Sequence, residues 1–189
     1  MELVWPTLAH LPSYRAALER GWSADTVRGA AAAHEQLARI AADAPGFIAS
    51  LVDREARGGP VTLPDGSQVA RLPGFHKWLW DAGEFCGSIN FRWQPGTPEL
   101  PPHVLGHIGY SVVPWRQRRG GATFALRALL DDVRAEGLPW VELTTDVDNV
   151  ASQRVIAANG GTLVERFVKP AAYGGRPALR YRIVLGAVA

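Results

Sequence analysis

The chain predicts an α/β fold in which a mixed, mostly antiparallel central sheet of about six or seven strands is flanked by helices and preceded by a helical segment. Three observations in the 189-residue sequence carry this. The first third is rich in alanine and interrupted by isolated turn residues. The middle alternates aromatic and small or polar residues in short runs separated by turn signals. The second half follows the order strand, glycine turn, helix, strand, helix.

Residues 1–58 read as two or three short helices, in which Ala16, Leu18, the stretch Ala30 to Ala42 and Phe47 to Val52 are punctuated by Pro12, Gly21 and Pro45-Gly46. Gly58-Gly59-Pro60 ends that pattern, and Pro64-Asp65-Gly66-Ser67 is a turn signal with apolar residues on both sides. Phe75 to Trp80 and Phe85 to Trp93 then form a hairpin about Asp81-Ala82-Gly83. Its aromatic residues, Trp78, Trp80, Phe85, Phe91 and Trp93, read as core. Gln94 to Pro102 is an exposed, proline-rich connection, and the next strand, His107 to Val113, stops at Pro114.

An amphipathic helix follows the glycine turn, with Leu126, Leu129, Leu130 and Val133 at i, i+3, i+4 and i+7, and ends at Gly137. Trp140 to Thr145 reads as a buried strand, Asn149 to Asn159 as a helix closed by Gly160-Gly161, and Thr162 to Val168 and Leu179 to Leu185 as strands. The length fits one domain, organised as a helical segment 1–58 and a sheet-bearing core 59–189.

Hydrophobic residues at 47% and charged residues at 20% place the chain among folded globular proteins and exclude a disordered one. A net charge of +2 supplies no general drive toward nucleic acid or an anionic membrane. Nothing approaches the ~20 apolar residues of a membrane span, and the N-terminus lacks a basic leader, so a cytoplasmic protein is expected. Cys86 is the only cysteine, which excludes an internal disulfide. His10, His34, His76 and His103 lack metal-ligand spacing, so no metal is expected.

Local charge is more informative. Arg116, Arg118, Arg119 and Arg127 surround Gly120-Gly121 with no acid before Asp131, at the start of a helix that follows a strand. Free amides and the helix dipole converge there, and glycine lets a phosphate approach the backbone. A solvated arginine cluster would give the same local pattern.

Gln117-Arg118-Arg119-Gly120-Gly121-Ala122, with His107 to Pro114 before it and Asp148 to Ile156 after it, resembles the GNAT superfamily of N-acetyltransferases. The likeness spans roughly residues 105–168 and ends on Asn159-Gly160-Gly161. It implies acetyl-CoA as cosubstrate, with Val112 and Val113 offering backbone groups to the pantetheine arm. Gln117, Arg118, Arg119, Gly120, Gly121, Ala122 and Thr123 would form the pyrophosphate turn. Asn149 and Ser152 match a position that contacts the cofactor near its sulfur, although Asn149 could instead cap the helix.

The resemblance also implies direct transfer of acetyl to a primary amine of a small molecule or peptide in a ternary complex. His107 stands where relatives place a glutamate base, and its ordinary pKa near 6.5 suits that part; a strand histidine satisfied by hydrogen bonds is the alternative. Glu142 and Asp146 are fallback bases. The tyrosine acid of many relatives is replaced by Ile156, which leaves water, Ser152 or a tyrosine such as Tyr173 as proton donor. No base motif accompanies Cys86, so an acyl-enzyme is not expected. The missing acid motivates a second reading, a CoA-binding sensor without turnover. Relatives that pair through sheet edges or C-terminal strands imply a homodimer.

Overall fold

The computed structural model describes residues 1–63 and 65–186. Strand β1 (Glu2–Val4) is followed by helices α1 (Leu11–Glu19), α2 (Ala30–Ala42) and α3 (Ala44–Ala49) and the short strand β2 (Val52–Asp53). A small hairpin, β3 (Val61–Thr62) and β4 (Gln68–Val69), encloses the anticipated turn, whose Pro64 lies outside the described residues. Then come β5 (Gly74–Asp81), β6 (Glu84–Arg92), β7 (Ile108–Val112), α4 (Gly121–Arg134), β8 (Trp140–Asp146), α5 (Val150–Ala157), β9 (Thr162–Val168) and β10 (Pro177–Val184).

The helical reading of 1–58 needs two changes. Glu2–Val4 pairs antiparallel with Trp78–Trp80, and Val52 and Asp53 pair with Phe75 and Gly74 on the same edge of β5. Both strands owe their conformation to β5, since two or three residues carry too little periodicity to specify a strand.

The hairpin β5–β6 is the centre of the molecule. Ala82 and Gly83 both have positive φ, 50° and 80°, the backbone of a tight hairpin turn whose twist matches the strands. Alternation gives the hairpin two faces. Phe75, Leu79, Ile89 and Phe91 meet Leu126, Leu129 and Val133 of α4 in one core. On the opposite face Trp78 joins Tyr14, Trp22, Phe47 and Phe85 in a second core under α1–α3. Each such apolar side chain contributes about 1.5–3 kcal/mol by leaving water. Of the aromatic residues expected in the core, Trp78, Phe85 and Phe91 are buried and Trp80 and Trp93 are partly so.

The strands form two main sheets, β1-β5-β6-β7 with β2 on β5, and β8-β10-β9, flanked by helices as expected, with every ladder antiparallel. No ladder joins β7 to β8, although α4 connects them directly. Among the described residues the two sheets are hydrogen-bonded to each other at one end only. His107 N–H donates to the Glu142 carbonyl at 2.8 Å, and the Thr144 hydroxyl donates to the Leu105 carbonyl. Beyond this joint the strands diverge.

Candidate active site

The glycine turn sits where the divergence begins to open toward α4. Gly120 is left-handed at φ 77°, Arg118 is left-handed at 61°, and α4 starts with no capping side chain and no acid in its first turn. Phe124 N–H bonds the Gly120 carbonyl at 3.0 Å, so the amides of Gly121, Ala122 and Thr123 precede the first helical bond and point out of the turn. A Cβ on Gly121 would lie 2.8 Å from Leu79 Cδ2, so glycine is what lets the helix start seat against β5. Arg118, Arg119 and Arg127 have no carboxylate partner among the described residues, whereas Arg116 pairs with Glu84 and so leaves the cluster. A helix start with free amides and unpaired arginines is an anion cradle.

The β7 edge continues from this cradle. Arg92 N–H bonds the His107 carbonyl at 2.9 Å and Val113 N–H bonds the Cys86 carbonyl at 3.0 Å. These are the inward positions of the β6–β7 ladder, so alternation turns the main-chain groups of Ile108, Tyr110 and Val112 toward the gap. Val112 therefore faces the gap, with its carbonyl taken by Gln117 Nε2 at 3.2 Å. Val113 does not. Its N–H and carbonyl are both bonded within the protein, and its side chain is buried in the helical core.

On the far wall, Asn149 is the N-cap of α5, accepting from Ser152 N–H at 3.0 Å. Capping is thus realised, with the Asn149 amide nitrogen left over. Ser152 Oγ lies 2.8 Å from the Tyr110 hydroxyl, placing a hydroxyl pair across the gap. Burial raises the Tyr110 phenol to about 12, so it stays protonated. Ile156 is a fully buried member of the α4 core.

His107 has neither ring nitrogen free. Nδ1 accepts from Glu142 N–H at 3.0 Å, which fixes the proton on Nε2, 3.1 Å from the Pro98 carbonyl. Burial lowers its pKa to about 4, so the ring is neutral and has no lone pair for a substrate proton. Glu142 is also engaged, with Oε1 2.7 Å from Arg182 Nη2 and Oε2 3.7 Å from Arg180 Nε. Asp146 pairs with Lys169 at 2.5 Å and Arg176 at 3.7 Å. Tyr173 donates its hydroxyl to the His103 carbonyl at 2.8 Å. Burial raises the Cys86 thiol, the reverse of what a nucleophile needs.

A cleft of about 700 Å³ runs through the gap, from Asn149, Ser152 and Tyr110 to the sheet face beneath α2 and β2. His76 and His103 line it, and neither ring has a hydrogen-bond partner among the described residues. Burial, reinforced by Arg92 and Arg71, lowers His76 to about 4. Ser88, Asn90 and Arg92 also line it. Their alternation with Ile89 and Phe91 is visible in the sequence as a polar strand face opposite the core face.

The acetyltransferase (GNAT) domain model matches residues 37–162. The chain belongs to the GNAT acetyltransferase family. As a GNAT protein it is an acetyltransferase, and the match covers the cradle, the gap and α5. No curated protein matches it. Solved structures share its fold at low identity. The microcin self-immunity acetyltransferase MccE in complex with acetyl-CoA and AMP is 15% identical, with a TM-score of 0.60, over 96% of this chain and 91% of that one. RimL, a ribosomal protein alpha-N-acetyltransferase in complex with coenzyme A, is 16% identical, with a TM-score of 0.60, over 96% and 92%. An acetyltransferase from Salmonella typhimurium that modifies the N-terminal serine of a 50S ribosomal subunit protein is 15% identical, with a TM-score of 0.62, over 96% and 93%.

Among the described residues of this GNAT domain, no group of three or more His, Cys, Asp or Glu side chains is placed to hold a metal, and no helix is long and apolar enough to cross a membrane.

Proposed function

We propose that this GNAT protein transfers an acetyl group from acetyl-CoA directly to a primary amine of a small molecule in a ternary complex, in a reducing cytoplasm. One observation supports this above the others: a single cleft joins the hydroxyl pair Tyr110–Ser152, on the cofactor side, to an open basin on the other face of the sheet. The pyrophosphate lies on Gly121, Ala122 and Thr123, with Arg118 and Arg119 on its flanks. Gln117 steadies the turn through Val112, and the pantetheine arm pairs with the gap edge of Tyr110 and Val112 as an added strand.

The amine attacks the thioester carbonyl from the basin. A tetrahedral intermediate forms, the C–S bond breaks, and the departing thiolate accepts a hydrogen bond from the Ser152–Tyr110 pair before taking a proton from solvent. His107 acts as a joint between the sheets in this proposal, and Glu142 as the counter-ion of Arg182. His103, with open ring nitrogens in the basin, is the group available to take the proton of the amine, whereas burial keeps His76 neutral. In this proposal the homodimer pairs through the edge strand β9, a reading that its exposed Leu163, Val164 and Val168 support.

Calorimetry with acetyl-CoA, CoA, ATP and NAD, followed by thiol release over an amine panel, tests the proposal. Preference for CoA species with amine-dependent release is expected; indifference among the four ligands sinks it. The occupied lone pairs of His107 favour a second reading, a CoA sensor, which saturable acetyl-CoA binding without thiol release from any amine would establish.

A further inference from the structure

We propose that Arg92 is the centre of an anion-binding subsite in the acceptor basin, so that the preferred acceptor is a small amine that also carries a carboxylate or phosphate group. This rests on the acetyl-transfer reading for the word acceptor, while the anion site itself stands on the geometry alone.

Arg92 ends β6 on the face that carries His76, Asn90 and Gly109, and its side chain lines the cleft. With the Asn90 amide oriented to donate to the Gly109 carbonyl at 2.9 Å, its oxygen accepts from Arg92 Nη2 at 2.8 Å. That bond aims the guanidinium and leaves the rest of its donor fork without a protein partner among the described residues. A Cβ on Gly109 would lie 2.9 Å from the Asn90 amide atom that faces it and 3.7 Å from Arg92 Nη2, so glycine keeps this corner open.

Charge bookkeeping around the cleft isolates Arg92. The carboxylates lining it are Asp25, Asp53 and Asp146. Asp25 is bound by the amides of Val27 and Arg28 and by the Arg28 side chain. Asp53 accepts from the amides of Arg57 and Gly58 and faces Arg71. Asp146 is held by Lys169 and Arg176. Arg92 alone among the charged groups lining the cleft has no counter-ion within the described residues.

A half-buried guanidinium without a counter-ion is costly, and desolvation lowers the Arg92 pKa. A ligand anion removes that cost and is well matched to a planar fork. Arg92 sits beside the closed end of the gap, where its amide bonds the His107 carbonyl, in a cleft of about 700 Å³. That volume falls in the range of small-molecule sites, ~300–1,000 Å³, and because it also takes in the cofactor side of the gap, it leaves the acceptor a compact space.

The test begins with protein whose cradle is filled by saturating CoA, titrated by calorimetry with glutarate and with inorganic phosphate. Saturable binding of at least one is expected, weakened by roughly tenfold or more in Arg92→Met and partly kept in Arg92→Lys. CoA affinity in each variant reports that the fold is intact. Binding unchanged in Arg92→Met overturns the proposal, as does binding only of an acidic peptide and neither small anion. In turnover, 4-aminobutyrate should surpass butylamine, or phosphoethanolamine surpass ethanolamine, through KM, and Arg92→Met should erase the difference. A preference for the neutral amines overturns the proposal as well. Loss of turnover with every amine, while Arg92-dependent anion binding persists, refutes the transferase reading and not the site.

Discussion

His107 and Glu142 are bonded to each other twice, main chain to main chain at 2.8 Å and Glu142 N–H to His107 Nδ1 at 3.0 Å, across the end at which the two sheets are hydrogen-bonded to each other. The ring completes its hydrogen bonding on the Pro98 carbonyl. A glutamine in its place can offer an oxygen to Glu142 N–H and an N–H to Pro98. His107→Gln should therefore keep kcat within a few-fold, whereas a base replaced by glutamine would lose roughly 10²-fold. His107→Ala leaves both partners unsatisfied and should cost about 2–4 kcal/mol of stability. Urea unfolding and steady-state kinetics of the two variants decide the matter, and a collapse of kcat in a well-folded His107→Gln would restore the base.

The same burial sets a pH dependence of stability. His107 and His76 are lowered to about 4, against an ordinary value near 6.5 in the unfolded chain. Between those values the unfolded state binds more protons. Stability is therefore complete above about pH 6.5 and falls as pH drops toward 4. For His107 the loss is on the order of 3 kcal/mol at most. Urea midpoints measured from pH 7.5 to about 4.5 should decline in the wild type and decline less in His107→Gln. Equal slopes would show that His107 does not titrate in this range.

These two histidines show what the sequence could and could not reveal. The strand–turn–helix order of Val112 to Val133 was legible because each element carries its own signal: periodicity, paired glycines and missing acids. His107 was legible only as a titratable residue on a strand, since its fate depends on an amide 35 residues away. Val112 and Val113 were indistinguishable until the β6–β7 register assigned one to the gap and the other to a bond with Cys86. β1 and β2 were hidden because a two- or three-residue strand has no period of its own. Arg92 was visible on the polar side of an alternating strand, but the lack of a counter-ion is a property of the whole cleft.

The cradle gives a prediction about cofactor affinity. Arg118 and Arg119 are exposed, so their attraction for pyrophosphate is screened by salt. Arg119→Ala should weaken CoA binding by about 3–10-fold near 50 mM salt and by less near 500 mM. Gly120→Ala acts differently, because alanine at φ 77° costs about 1–2 kcal/mol whatever the salt. Its loss of affinity should persist at high salt. Calorimetry at the two salt concentrations separates a charge effect from a backbone effect, and identical salt slopes for wild type and Arg119→Ala would remove that arginine from the site.

The hairpin turn offers an independent check on the fold. Ala82 sits at φ 50°, where a Cβ is unfavourable and asparagine or glycine is preferred ahead of another left-handed residue such as Gly83. Ala82→Asn should stabilise the protein by roughly 0.5–1 kcal/mol and leave CoA affinity alone. A lower urea midpoint in this variant would contradict the turn.

The hydroxyl pair carries the sharpest prediction about chemistry. Tyr110 and Ser152 approach to 2.8 Å from opposite sides of the gap, and Tyr110, raised to about 12, holds its proton throughout the working range. A departing thiolate, whose thiol has an ordinary pKa near 8.5, is stabilised by a hydrogen bond from Ser152 as Tyr110 donates to the serine oxygen, and it takes its proton from solvent while the pair keeps both of its own. Residues acting as one relay lose function once, not twice. Tyr110→Phe and Ser152→Ala should each lower kcat by about 10–100-fold with acetyl-CoA affinity nearly unchanged, and the double variant should be no slower than the worse single one. Because the phenol does not ionise below about pH 11, neither variant should remove an alkaline limb from the pH–rate profile. Multiplicative losses would assign the two hydroxyls separate tasks, and unchanged kcat in both would mean that the thiolate leaves without their hydrogen bond.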